Sequence, residues 1–161
     1  MVERPVVNAS PLILLGRAGQ LDLLQLAGSP VVVPHLVAEE IASRGQADAA
    51  ARALAATNWL QVEDAGPISA VIANWDLGAG ESSVLTWALS HPGSEAIIDD
   101  LMGRRCARTL GIPVRGTLGL VLVAKQRCLI PAARPVVEHL RHCGMYLSNH
   151  VLNAALAKVG E

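Results

Sequence analysis

The chain has 161 residues, of which 52% are apolar and 17% are charged, and its formal net charge is −1. This composition excludes intrinsic disorder, which requires few apolar residues and a high net charge. Because the chain has no Phe, three Trp and one Tyr, we expect an aliphatic core. A nucleic-acid binder that stacks bases on aromatic platforms is disfavoured for the same reason.

The sequence shows no targeting signal and no cysteine motif. Its longest apolar runs, such as 120–124, are far shorter than the roughly 18 residues of a membrane-spanning helix. No apolar signal stretch with a cleavage site follows the first residues. Cys106, Cys128 and Cys143 are widely spaced and form no C-x-x-C pair, which predicts free thiols. We therefore expect a cytoplasmic protein without a membrane partner.

Charge is distributed unevenly along the chain. Residues 1–100 carry 12 acidic and 4 basic side chains, a net charge of −8, whereas residues 101–161 carry 2 acidic and 9 basic side chains, a net charge of +7. This asymmetry indicates either an anionic partner or self-complementation, in which the basic part packs against the acidic part. Four arginines lie close together in the basic part and suit phosphate binding: Arg104, Arg105, Arg108 and Arg115.

Pro, Gly and Ser divide the chain into short apolar strands and helices. Ser10 is the predicted N-cap of the first helix, with Pro11 at its first helical position, and Ser148 is the predicted cap of the last helix. In chain order the predicted elements are a strand at 5–8, a helix at 12–18, an apolar segment at 21–26, a strand at 31–33, helices at 35–43 and 48–56, a strand at 59–63, a helical turn at 68–73, a helix at 81–90, a strand at 96–99, a helix at 101–110, a short strand reached through 111–114, and helices at 117–127, 133–142 and 149–158.

Short apolar strands that alternate with helices predict a parallel sheet covered on both faces. The sequence contains no linker and no internal repeat. We therefore expect residues 1–161 to form one domain, in which residues 116–161 are a helical extension packed on the sheet.

Polar side chains lie where the sheet should bind a ligand, at the carboxyl ends of its strands. Asn8 follows the first strand, and Asp99 and Asp100 follow the strand at 96–98. Glu40 lies on the helix after the second strand, with Glu39 beside it, and Glu81 opens a helix. Oxygen ligands of this kind suit Mg²⁺ or Mn²⁺.

Each of these residues also has an ordinary structural explanation. A glutamate at position 81 is favoured by the helix dipole alone. Glu39 and Glu40 would suit a solvated helix face. Asp99 and Asp100 would suit a helix cap, and Asn8 a turn. The order and spacing of the whole set support a metal site more than any single residue does.

Four segments in this order resemble the motifs of PIN-domain proteins, the superfamily of VapC-like ribonucleases. The tail is similar to an uncharacterised prokaryotic branch of that superfamily. The matching segments are 6–13, 33–41, 77–83 and 96–105, and in the tail 117–120, Lys125, 129–131 and the ending Gly160-Glu161.

The resemblance implies a three-layer α/β/α sandwich with a central parallel sheet of about four to five short strands. It implies a metal-dependent ribonuclease, often the toxin of a toxin–antitoxin pair, that works as a homodimer with an antitoxin protein as partner. The four metal positions of the family fall on Asn8, Glu40, Glu81 and Asp100, with Asp99 as a catalytic helper. Mg²⁺ or Mn²⁺ is the implied cofactor, and RNA the implied substrate.

Position 8 departs from the family pattern because active nucleases usually carry Asp there. Asn keeps a carbonyl ligand but loses a charge, which weakens cation binding. Arg104 and Arg105 are expected to bind a phosphate, and Ser10 either caps its helix or hydrogen-bonds a carboxylate or phosphate. The alternatives to a nuclease are a PIN-like module that binds RNA or a protein without cleavage, and an oligomeric scaffold built on the apolar helix at 117–127.

Overall fold

The structure is a computed structural model and describes residues 4–161. Five parallel strands form its central sheet in the order β3-β2-β1-β4-β5. All residues of β1, β2 and β4 are buried, as expected for a parallel sheet covered on both faces. The strands are β1 (Val6–Val7), β2 (Val31–Pro34), β3 (Leu60–Glu63), β4 (Ala96–Ile97) and β5 (Val114–Arg115).

Helices flank this sheet and confirm the predicted α/β/α sandwich. A 3₁₀ segment, Leu21–Ala27, lies between the first helix and β2. The helices in the described part of the chain are α1 (Ala9–Arg17), α2 (His35–Ala42), α3 (Ala49–Ala56), α4 (Ala70–Ala73), α5 (Ala79–Ser90), α6 (Leu101–Thr109), α7 (Thr117–Gln126), α8 (Arg134–His142) and α9 (Asn149–Ala157).

The start of α1 differs from the prediction. The helix begins at Ala9, its N-cap residue is Asn8, and Ser10 is already inside the first turn, so the prediction of Ser10 as N-cap is wrong. β1 ends at Val7 and the chain enters the helix without a connecting loop. Pro11 causes no break because the first N–H groups of a helix have no partner within it. The predicted cap of α9 is confirmed, since the Ser148 hydroxyl accepts a hydrogen bond from Val151 N at 3.2 Å.

Helix α5 places its N-terminus at the carboxyl edge of the sheet. It packs on β1, β2 and β4, and its residues from Ser82 to Ala88 are all buried. A helix buried on every side needs no polar stripe, and its polar residues bond locally, as Ser83 does to the Gly80 carbonyl at 2.7 Å. The first turn of α5 therefore lies next to the residues that follow β1 and β4.

The C-terminal helices are joined to the same core. Leu120, Leu140 and Leu156 are fully buried and belong to one apolar cluster with the strands. The carboxylate of Glu161 accepts hydrogen bonds from Ala133 N at 2.6 Å and Arg134 N at 3.1 Å. These bonds fasten the last residue to the beginning of α8.

The edge strand β3 is tied to the start of β1 by an ion pair. Arg4 and Glu63 form a salt bridge, and Trp87 Nε1 donates to the same Glu63 carboxylate at 3.2 Å. The Arg4 guanidinium also lies 5.4 Å from the Trp87 ring centroid. The hydrogen bond from Arg4 lowers the pKa of Glu63, against the opposing effect of partial burial.

We predict that Glu63→Gln lowers the free energy of unfolding by about 1 kcal/mol at neutral pH, because the neutral amide cannot form the ion pair. The lowered pKa means that this stabilisation is complete above the ordinary glutamate value of about 4.3 and is lost as the pH falls below it. Urea unfolding of both proteins at neutral pH and near pH 3.5 measures the difference. A difference that stays the same at both pH values would contradict the assignment.

Candidate active site

The residues that follow β1 and β4 face a cleft of about 980 Å³. Parallel strands end at one edge of their sheet, and ligands bind in the crevice outside that edge. The structure brings most of the predicted residues together there. The cleft is lined by Asn8, Ser10, Glu40, Glu81, Asp99, Asp100 and Arg104.

Asn8 is the most buried of these side chains, with 3% of its surface exposed. Its Nδ2 donates to Glu81 Oε1 at 3.1 Å, and its side chain makes no capping bond to α1. Its Oδ1 is buried without a hydrogen-bond partner. Leaving a buried acceptor unpaired costs about 1–3 kcal/mol, so this oxygen is a candidate ligand atom.

Glu40 meets Asn8 over Gly80. A Cβ atom on residue 80 would lie 3.1 Å from Asn8 Oδ1 and 3.2 Å from Glu40 Oε2. Both oxygens therefore lie beside Gly80, and a side chain at residue 80 would crowd them. Glu39 points elsewhere and pairs with His35 at 3.0 Å, with 60% of its side chain exposed. Of the two adjacent glutamates, only Glu40 lines the cleft.

Glu81 and Asp100 approach each other from α5 and α6. A Cβ atom on Gly103 would lie 3.8 Å from Glu81 Cγ and 3.5 Å from Asp100 Oδ2. The same Asp100 oxygen accepts a hydrogen bond from Gly103 N at 2.7 Å and so caps α6. The capping role and the place in the cleft are compatible, because the cap fixes the orientation of the carboxylate.

Asp99 is engaged differently from the other carboxylates. Its Oδ1 accepts from Thr117 N at 2.7 Å, and its Oδ2 accepts from Thr117 Oγ1 at 2.7 Å and from Ser10 Oγ at 3.5 Å. These bonds hold the first residue of α7 against the end of β4. Asp99 therefore positions neighbouring elements, and Ser10 uses its hydroxyl on this carboxylate instead of on a helix end.

The two predicted arginines occupy different surroundings. Arg104 lines the cleft and is half-buried, and its Nη1 lies 3.5 Å from the point where a Cβ atom of Gly116 would stand. Its buried Nε has no hydrogen-bond partner. Arg105 is exposed, does not line the cleft, and contacts the Met102 sulfur at 3.8 Å. Of the two arginines, only Arg104 lines the cleft.

Several residues of this site escaped the sequence analysis. Thr117 is fully buried and holds Asp99, but a Thr at a helix start carries no distinctive signal. The others are scattered along the chain, and among them only Tyr146 stood out in the composition, as the single Tyr. These additional cleft residues are Arg17, Arg44, Tyr146 and Lys158, and they line the cleft with Arg115, which belongs to the arginine cluster noted in the sequence.

The donor chemistry of the cleft fits a hard divalent cation. The oxygens of its amide and carboxylate side chains are the ligands that Mg²⁺ and Mn²⁺ prefer, and the unpaired Asn8 Oδ1 lies beside Gly80 together with Glu40 Oε2. Among residues 4–161, however, no three His, Cys, Asp or Glu side chains stand close enough together to hold a metal ion. Binding would therefore have to draw the carboxylates together.

Residues 4–161 match the model of a protein family described as a PIN domain. The match covers nearly the whole chain, so the chain belongs to the PIN-domain family, a nuclease superfamily whose members generally use divalent metals. Neither a curated protein nor a solved structure matches the chain. In the part of the chain that the structure describes, no helix has the length and apolar character needed to cross a membrane.

We predict that Asn8→Asp lowers the free energy of unfolding of the metal-free protein by about 1–3 kcal/mol at neutral pH. The substitution removes the donor to Glu81 and buries a second carboxylate beside it. Urea unfolding in the presence of a chelator at neutral pH measures this, and a stability equal to that of the wild type would contradict it.

Proposed function

We propose that this protein is a metal-dependent ribonuclease that hydrolyses RNA phosphodiester bonds. Asn8, Glu40, Glu81 and Asp100 would hold Mg²⁺ or Mn²⁺. The observation that carries the proposal is the buried, unpaired Asn8 Oδ1, which lies with Glu40 Oε2 beside Gly80. In a PIN domain, a neutral and a charged oxygen that lie beside one glycine in an acidic cleft support a cation site.

In this proposal some residues orient the carboxylates and others bind the phosphate of the substrate. The Asn8 amide holds Glu81, and Gly103 N holds Asp100, so two carboxylates are oriented before substrate arrives. Arg104 lines the same cleft and would bind a phosphate oxygen. When bound, a divalent ion activates water and stabilises the charge that develops on the phosphate.

The charge of the second part of the chain supports a polyanionic substrate. Among the described residues, a single ion pair, Arg115–Glu95 at 3.1 Å, joins the basic part to the acidic part. Self-complementation therefore accounts for little of the asymmetry. The remaining positive charge is available to phosphates, which attract Lys and Arg whatever the base sequence.

A catalytically weak or inactive PIN-like module that binds RNA or a protein partner is the second proposal. Two observations favour it: Asn stands at position 8, and the described residues hold no assembled group of three metal-binding side chains. An antitoxin or a second copy of the chain is the proposed protein partner. Leu101 and Met102 on α6, 56% and 43% exposed, offer it an apolar surface.

The adjacent residues Glu39 and Glu40 on α2 provide a matched pair of variants for testing the proposed nuclease activity. We predict that Glu40→Gln reduces metal-dependent RNA cleavage by about 100-fold or more, since even partners of a metal ligand are worth about 10–100-fold. Glu39→Gln should retain wild-type cleavage because Glu39 faces away from the cleft. The measurement is cleavage of a labelled RNA pool with Mn²⁺, with Mg²⁺ and with chelator.

The outcomes separate the two proposals. Cleavage that requires metal and is lost only in Glu40→Gln supports the ribonuclease. Equal cleavage by the Glu40 and Glu39 variants would refute the assigned site. RNA binding without cleavage under any metal condition would favour the binding module.

A further inference from the structure

Tyr146 is the most exposed of the large hydrophobic residues that the structure describes, and it lines the same cleft as the carboxylates. It is 97% exposed and lines the cleft together with Asn8 and Glu81. An aromatic ring normally buries a large apolar area in a fold. This ring contacts the rest of the protein very little. Packing in the fold therefore does not account for an aromatic residue at this position.

The loop between α8 and α9 holds the ring outward. Met145 and Leu147, on either side of Tyr146, are partly buried and pack against the apolar core. Met145 N donates to the Leu140 carbonyl at 3.0 Å, and Arg17 Nη1 donates to the Cys143 carbonyl at 3.2 Å. Anchored neighbours on both sides limit the freedom of the backbone at Tyr146, so little conformational entropy is lost when the ring binds a partner.

Positive charge accompanies the ring in the same cleft. Arg17 and Lys158 both line the cleft with Tyr146, and neither belongs to an ion pair between described residues. A flat aromatic face next to cations, in an open groove, is the combination that binds single-stranded nucleic acid. A duplex keeps its bases stacked inside and offers no free face to such a ring.

We propose that Tyr146 stacks on one unpaired base of the substrate and that Arg17 and Lys158 bind the adjoining phosphates. This inference rests on the proposed ribonuclease function and deepens it, because it names the residues that would hold the strand. The low aromatic content argues against a series of stacking platforms along the surface. A single ring in the cleft would fix one nucleotide of the strand.

The test measures binding without cleavage. Affinity for a fluorescein-labelled single-stranded RNA is determined by anisotropy in chelator, for the wild type, Tyr146→Ala, Tyr146→Leu and Tyr146→Phe. A stacked base is worth enough that Tyr146→Ala should weaken binding about 5- to 100-fold. Tyr146→Phe keeps the ring and should bind as the wild type, whereas Tyr146→Leu keeps only apolar bulk and should behave like Tyr146→Ala.

Three further probes decide what the ring contacts. A strand whose residues lack bases should bind the wild type and Tyr146→Ala equally, and a duplex should bind both equally weakly. A loss on Tyr146→Ala that is as large for the base-free strand would overturn the proposal. A change of sedimentation from dimer to monomer in Tyr146→Ala, with RNA binding unchanged, would also overturn it and assign the ring to a protein interface.

Cleavage with Mn²⁺ separates this inference from the proposed function. If Tyr146→Ala binds and cleaves RNA as well as the wild type does, the stacking role is contradicted and the ribonuclease proposal still holds. Tyr146-dependent binding with no cleavage by the wild type would uphold the stacking role and refute the ribonuclease.

Discussion

The hydrogen bond from the Asn8 amide to the Glu81 carboxylate is the contact on which the acidic end of the cleft depends. Glu40, Glu81 and Asp100 come from three helices, and the parallel sheet brings them to one edge with Asn8. Like charges brought close together oppose folding. A neutral donor at position 8 satisfies one carboxylate, whereas Asp there would add another charge. The amide thus favours a folded metal-free state at the expense of cation affinity.

Asp99 ties the C-terminal part of the chain to the cleft. By accepting three hydrogen bonds from Thr117 and Ser10, it joins the end of β4 to the first turns of α1 and α7. The helices that follow are held by apolar packing on the common core and by the bonds between Glu161 and the start of α8. The cleft is therefore lined by acidic side chains and also by a tyrosine and basic groups.

Much of this arrangement could be predicted because it depends on local signals. Runs such as 31–33 are too apolar for anything but buried strands, and their alternation with helices dictates a parallel sheet. Asn8, Asp99 and Asp100 follow strands directly, so their meeting at one edge follows from topology. The match of residues 4–161 to the PIN-domain family confirms the resemblance that the motifs suggested.

The remaining features depend on geometry that the sequence does not encode locally. Glu39 and Glu40 are identical in type, and only the angle of α2 decides which one faces Gly80. Ser10 has the chemistry of an N-cap, yet β1 runs straight into α1 and leaves the hydroxyl to Asp99. Arg104 and Arg105 separate because successive helical residues point about 100° apart. Tyr146 lies in the loop between α8 and α9, so its place in the cleft depends on how these two helices pack.

Calorimetric titration with Mn²⁺ tests the central claim most directly, because it needs no substrate. The wild type should bind Mn²⁺ at one weak site, Asp100→Asn should lose that binding while keeping its helix cap, and Asn8→Asp should bind about tenfold or more tightly, since added ligand charge strengthens cation binding. Equal Mn²⁺ affinity in all three proteins, or no binding even by Asn8→Asp in its folded state, would contradict the account of this cleft as a metal site.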